Sequence, residues 1–175
     1  MPRWRTLFGV FFHRGGSRQA LGRYADGFRA LLLKLRREPN KRRFHALITL
    51  LDQGLQLPES AVLVPIPSWK HHHGNTVPTL MAQRLGLPSA PLLMRHQARL
   101  SQHHLNKTQR QTNLIGAFQA SPLNKQRALS SVWLVDDILT TGSTALAARQ
   151  ALEEAGHRVA GLICLGRTPA RERRR

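Results

Sequence analysis

The sequence predicts an α/β domain with a mostly parallel sheet covered by helices on both faces. Three observations carry this. Short apolar, β-branched runs alternate along the chain with segments whose apolar residues recur at helical spacing. The strongest run, Val132-Trp133-Leu134-Val135, is continuously apolar, as a strand buried on both faces has to be. It leads directly into two carboxylates, a loop of small hydroxylated residues and a helix. In that order an α/β sheet builds a phosphate site at the carboxyl end of a strand.

In chain order, residues 1–20 read as an irregular basic N-terminus, with Gly15-Gly16-Ser17 as a loop signal. Leu21, Tyr24, Phe28, Leu31, Leu32 and Leu35 recur at helical spacing and predict a helix over 21–37, ended by Glu38-Pro39-Asn40. Phe44, Leu47, Ile48 and Leu51 share one face of a second helix over 41–55. Ala61-Val62-Leu63-Val64 is a buried-strand candidate, stopped by Pro65-Ile66-Pro67-Ser68. A polar loop follows, then a helix over 78–85 with Pro78 in its first turn, where a missing N–H is harmless. Pro91-Leu92-Leu93-Met94 reads as a short strand, and 97–112 as a polar, basic, exposed stretch. After the strand at 132–135 and its helix, Val159–Leu165 is the final strand. One domain over 21–167 is expected, with 168–175 as a basic tail; no internal repeat is present.

At 175 residues and 41% hydrophobic content the composition is globular, with length for one core. Lys plus Arg number 27 against 9 acidic residues, a formal charge of +18, which favours anionic partners: nucleic acid, phosphorylated metabolites or an anionic surface. Cys164 is the only cysteine, which excludes an internal disulfide and a multi-cysteine zinc site; in its apolar run it reads as a buried, inert thiol. No stretch approaches the ~20 apolar residues of a membrane span. The apolar run Leu7–Phe12 is shorter than a signal-peptide core, so a cytoplasmic location is expected.

The chemistry concentrates at Asp136–Thr144. Two charges cannot continue inside a doubly buried strand without partners, so Asp136 and Asp137 are expected at its solvent-facing end. Thr140, Thr141, Gly142, Ser143 and Thr144 offer backbone N–H groups and hydroxyls, and Gly142 permits a positive φ and close approach of a phosphate. The next helix adds roughly half a positive charge at its N-terminus. The loop attracts an anion that the carboxylates repel. A ligand with a phosphate at one end and hydroxyls at the other, such as a ribose 5-phosphate, satisfies both. A Walker-B magnesium site is the rival, but it needs a Gly-Lys loop, and that dipeptide is absent. An ordinary core strand with Ser/Thr capping the next helix is the plain structural alternative.

This stretch resembles the phosphoribosyl pyrophosphate (PRPP) signature of type I phosphoribosyltransferases. The resemblance implies that Asp136 and Asp137 form a catalytic pair holding the ribose hydroxyls and that Thr140–Thr144 hold the 5-phosphate. It also implies a central sheet with an N-terminal helical and hood region, and magnesium bound mainly through PRPP rather than in a protein metal site. Gln102-x-x-Leu105, Arg110-x-x-Asn113 and Gly116-Ala117-Phe118 are similar to the central block of ComF-type (GntX-group) competence proteins. Val64-Pro65-Ile66-Pro67 resembles that family's strand into the pyrophosphate loop, which places Ser68, Trp69 and Lys70, together with Arg110, in the substrate-binding set. Tyr24, Arg29, Leu32, Leu35 and Arg36 resemble its N-terminal segment, Arg36 standing where Lys is usual. The chain departs from the family in lacking the four-cysteine zinc-binding segment, in carrying His73-Gly74-Asn75-Thr76-Val77 where an Arg-Gly-Phe-Asn-Gln run is usual, and in having Arg99 where Thr commonly stands.

His71-His72-His73 fits contact with pyrophosphate better than metal ligation, because consecutive loop residues cannot easily all face one ion. Arg95, Arg99, Lys107 and Arg110, with His103 and His104, form a candidate basic face for a nucleic-acid backbone; without aromatic residues in 95–112, base stacking there has no support. Two functions stay open. One is transfer of phosphoribosyl from PRPP to a nitrogen acceptor, a nucleobase or relative, with release of pyrophosphate. The other is a non-catalytic competence accessory that associates with single-stranded DNA or DNA-uptake proteins, its PRPP binding vestigial or regulatory. The oligomeric state is open as well.

Overall fold

The computed structural model describes residues 11–13, 16–37, 41–68, 76–95, 116–124 and 131–168. Its elements are β1 (Phe11–His13), β2 (Gly16–Arg23), α1 (Asp26–Arg37), α2 (Lys41–Gly54), β3 (Ala61–Pro65), α3 (Val77–Arg84), β4 (Leu93–Arg95), β5 (Phe118–Ala120), β6 (Ser131–Leu139), α4 (Ser143–Glu154) and β7 (Val159–Arg167). A five-stranded sheet runs in the order β1-β2-β7-β6-β3, parallel except for β1, which is antiparallel to β2. β4 and β5 form a separate antiparallel ribbon. The expected mostly parallel sheet with flanking helices is what the chain adopts.

Alternation along the strands sorts the core into two layers. Trp133 and Val135 of β6, with Ile163 and Leu165 of β7, pack with Leu32 and Leu35 of α1, Phe44, Ile48 and Leu51 of α2, and Met81 of α3. Val132 and Leu134, with Leu162 and Cys164, pack with Ala148 and Leu152 of α4 and with Leu93 and Phe118 of the ribbon. The N-terminal helical region, α1 and α2, therefore lies directly on one face of the sheet. Burial pushes the Cys164 thiol up to about 12, which suits an inert core residue. Among the described residues no helix is long and apolar enough to cross a membrane.

Two expectations need correction. Residues 16–23 are a strand, not an irregular end followed by a helix, and α1 starts at Asp26 rather than Leu21. Gly16-Ser17-Arg18-Gln19-Ala20 has little intrinsic strand preference. The strand exists because its backbone pairs in parallel with β7, from Ser17 beside Gly161 to Arg23 beside Arg167. Gln19, buried in it, ties the strand to the segment between α2 and β3: its side-chain amide donates to the Gln56 carbonyl at 2.9 Å and accepts from the Gln56 N–H at 3.0 Å. The second correction concerns β6. It does not end at Val135 but continues to Leu139, because β7 runs alongside it in register as far as Leu139 beside Arg167. Asp136 and Asp137 therefore lie inside a strand.

Candidate functional site

The site is assembled where β6 leaves the sheet. Because successive side chains of a strand leave opposite faces, adjacent carboxylates meet different surroundings. Asp137 is buried on the side of α1. Arg36, in the last turn of α1, clamps it: Arg36 Nε donates to Asp137 Oδ2 and Nη2 donates to Oδ1 at 2.7 Å. This bidentate fork satisfies a charge that the sheet interior could not otherwise hold. It also corrects the expectation that Asp137 stands at a solvent-facing end.

Asp136 is only partly buried. Its Oδ1 accepts the Asp137 N–H at 2.9 Å, and Oδ2 takes no hydrogen bond from the described residues. Burial, reinforced by the neighbouring Asp137 charge, pushes the Asp136 carboxyl up to about 7. The hydrogen bond with Asp137 holds the Arg36 guanidinium above its ordinary value.

The approach of α1 has a sequence cause. Gly166 of β7, beside Ile138 in the register, lies under the helix. A Cβ there would sit 2.7 Å from Leu32 Cδ1 and 3.4 Å from Tyr24 Cβ. The missing side chain lets α1 lie close to the strand pair, and Leu32 stands one helical turn before Arg36.

The turn after β6 is built locally. Gly142 caps α4 with φ 80° and ψ 0°, left-handed values that its missing Cβ makes cheap, and its carbonyl accepts the Leu146 N–H at 2.9 Å. Thr141 Oγ1 and Ser143 Oγ are bonded at 3.0 Å, and the Ser143 N–H reaches Thr141 Oγ1 at 3.4 Å. No side chain of the Gly142 cap closes the first turn of α4. Thr140 and Thr141 are exposed, while Gly142, Ser143 and Thr144 are partly exposed. The result is an open helix N-terminus with hydroxyls around it, a geometry that receives anions.

Ser68, partly exposed, follows Pro67 at the end of β3, next to β6 in the sheet. Trp69, Lys70, the histidines 71–73, Arg99 and Arg110 lie outside the described residues. Arg95 is described, and it does not stand on a solvated basic face. Its guanidinium lies over the Phe118 ring at 5.0 Å from the centroid and reaches the Pro67 carbonyl at 3.5 Å. Burial lowers it from its ordinary value, opposed by the Asp136 carboxylate. Sequence reasoning gave neither Arg36 nor Arg95 a place in the site. Period-two alternation carried through Asp136–Asp137 would have pointed Asp137 at the helix layer and asked for a cation there.

No family model matches the chain. Over 122 residues, 66% of its length, it is 35% identical to the DNA utilization protein YhgH of Salmonella typhimurium. The Salmonella typhi protein of the same name is 34% identical over the same length. The chain spans about half the length of these curated relatives, 52% in each case. Among solved structures, adenine phosphoribosyltransferase from Leishmania tarentolae is 14% identical with a TM-score of 0.45, over 91% of this chain and 94% of that one. The Leishmania donovani enzyme is 15% identical with a TM-score of 0.45, over 91% and 86%.

Proposed function

We propose that this chain is a PRPP-binding, phosphoribosyltransferase-like protein acting in DNA utilisation. One observation carries the ligand assignment: an open, hydroxyl-lined helix N-terminus and a partly exposed carboxylate lie six to eight residues apart toward the carboxyl end of β6. The N-terminus suits a 5-phosphate and the carboxylate suits ribose hydroxyls, which are donors. The resemblance of 132–144 to the PRPP signature supports the same ligand, and the name of the Salmonella relatives supports the process.

Magnesium fits this site as a passenger of the ligand. Arg36 occupies Asp137, so the described residues offer too few open carboxylates here for an all-protein cage. A hard cation would be held mainly by pyrophosphate oxygens and water. When bound, it would neutralise charge on the leaving pyrophosphate. The chain's own contribution is electrostatic. Asp136 favours positive charge developing on the ribose, and Arg95, fixed between Phe118 and the Pro67 carbonyl, holds a cation beside the end of β3. Trp69, Lys70 and Arg110 are proposed to extend the pyrophosphate side, and the acceptor is proposed to be a nitrogen base.

Titration calorimetry of the chain with magnesium and PRPP tests the ligand. Micromolar binding that Asp136→Asn abolishes is expected, and unchanged affinity in that variant would end the assignment. Pyrophosphate release across a panel of nucleobases then tests turnover. The accessory alternative draws on the name of the relatives and the charge of +18. It is favoured if single-stranded DNA binds with a steep salt dependence while no base releases pyrophosphate.

A further inference from the structure

We propose that Arg36 is a positioning residue that divides the labour of the acidic pair: it withdraws Asp137 from the ligand and leaves Asp136 as the carboxylate that receives the ribose hydroxyls. The division rests on the ribose-phosphate assignment above and sharpens it. Resemblance to the PRPP signature treats the two carboxylates as one unit, but three features of the geometry separate them.

Asp137 has both carboxylate oxygens engaged by one guanidinium and is 2% exposed at the side chain, so its remaining acceptor capacity faces protein. Asp136 has one oxygen on the Asp137 N–H, its other oxygen takes no hydrogen bond from a donor among the described residues, and the residue is partly exposed. Arg36 itself is 39% exposed at the side chain, and Nη1 has no partner among the described residues. The guanidinium thus stands at the rim of the site with its charge largely balanced. It does not repel a ribose cation as a free arginine would, yet it holds the end of α1 against β6.

The clamp also aims Asp136. The Asp137 N–H that holds Asp136 Oδ1 belongs to the residue that Arg36 anchors. Release of Asp137 would let the strand end relax and loosen the acceptor that the ligand uses. Lysine in place of Arg36 would supply charge without the planar two-bond fork, so it should restore the pairing only in part.

Binding of ribose 5-phosphate and 2-deoxyribose 5-phosphate to the full chain, measured by calorimetry beside thermal melts, separates the roles. The ratio of the two affinities reports the hydroxyl contact, which fold stability alone does not move. Wild type is expected to prefer the ribose form by about tenfold or more, as for a lost hydrogen bond to a charged group. Asp136→Asn should collapse that preference with no fall in its melting temperature. Arg36→Met should weaken both ligands and lower the melting temperature. The neutral pair Arg36→Met with Asp137→Asn should recover the melting temperature and keep the preference. Loss of the preference in that double variant, with the fold intact, would place Asp137 on the ligand and overturn the division. Wild-type chain that binds neither sugar phosphate nor magnesium-PRPP would overturn the ligand assignment, a different result from a preference that tracks the wrong carboxylate.

Discussion

The turn from β6 into α4 and the setting of Asp137 lie a few residues apart and are made in opposite ways. Thr140–Thr144 close their turn with bonds between neighbours, Thr141 to Ser143 and Gly142 to Leu146. Asp137 depends on Arg36, 101 positions away, brought up by a helix whose approach is allowed by Gly166 on a third element. The first region is anion-receptive because donors are left open. The second is neutral because a buried carboxylate is closed on a guanidinium that reaches it from the rim. Asp136 stands at the seam: its backbone continues the strand, its Oδ1 accepts the Asp137 N–H, and its Oδ2 takes no hydrogen bond from the described residues. The proposed site, with a phosphate at one end and a developing cation at the other, would need both kinds of construction.

The sharpest way to break this contrast is to remove the distant partner. Arg36→Met leaves the Asp137 carboxylate buried with no counter-charge. A loss of about 3 kcal/mol is expected, nearer the lower end of the range for broken buried pairs because Arg36 is partly solvated. Urea denaturation at pH 7.5 measures it. The loss should shrink when Asp137→Asn is added, and two losses that simply add would show that the pair is not coupled.

Protonation sharpens the same contrast. The Asp136 carboxyl is raised from 3.8 to about 7, so between those values the native chain holds a proton that the unfolded chain has released. Stability from this group therefore falls as pH rises from about 4 to about 7 and is level above that. The full shift would be worth about 4 kcal/mol at 1.36 kcal/mol per unit, and on the order of 2 kcal/mol is expected for a partly exposed group. Wild type should lose that much relative to Asp136→Asn between pH 5 and pH 8 in chemical denaturation. Parallel profiles for the two proteins would mean that Asp136 is already ionised at pH 5. Ribose binding should move the other way, strengthening as the carboxylate forms.

How much of this was legible in the sequence follows from the same division. Val132–Val135, the small-residue turn and the helix after it declare themselves through local pattern, as do α2, β3, α3 and β7. The candidate ligand end of the site could therefore be named residue by residue at Thr140–Thr144. Strand β2 could not, because Gly16–Ala20 becomes a strand only against β7, and no run of neighbours records that pairing. The same holds for Asp137. Its adjacency to Asp136 suggested a shared exposed edge, whereas strand alternation and a helix from the other end of the chain put it inside. Arg95 looked like one more charge in a basic stretch until the ribbon folded it over Phe118.

Gly166→Ala tests whether the close approach of α1 matters to the clamp. The added Cβ meets Leu32 Cδ1 at 2.7 Å, and Leu32 is itself buried at 2%, so the helix or the leucine has to move. A loss of about 1.5 kcal/mol is expected by denaturation, as for modest overpacking. It should be smaller in an Arg36→Met background, where the helix end is already released. A full-size loss there would make Gly166 a packing residue with no bearing on Asp137.

Gly142→Ala gives the smallest effect and bears on the local region alone. A Cβ at Gly142 would meet only Leu139 Cδ1, at an ordinary 3.7 Å, so the cost is the left-handed backbone and not a clash. About 1 kcal/mol is expected from melting or denaturation. Gly142→Asn should cost less, since Asn tolerates that conformation better than Ala. Their binding signatures should also part company with those of Arg36. A disturbed turn misdirects the N–H groups that face a phosphate, so inorganic phosphate and both sugar phosphates should weaken together with the ribose preference intact. If Gly142→Ala instead erased that preference, the turn and the carboxylates would be one mechanical unit, and the contrast between the two regions would not hold.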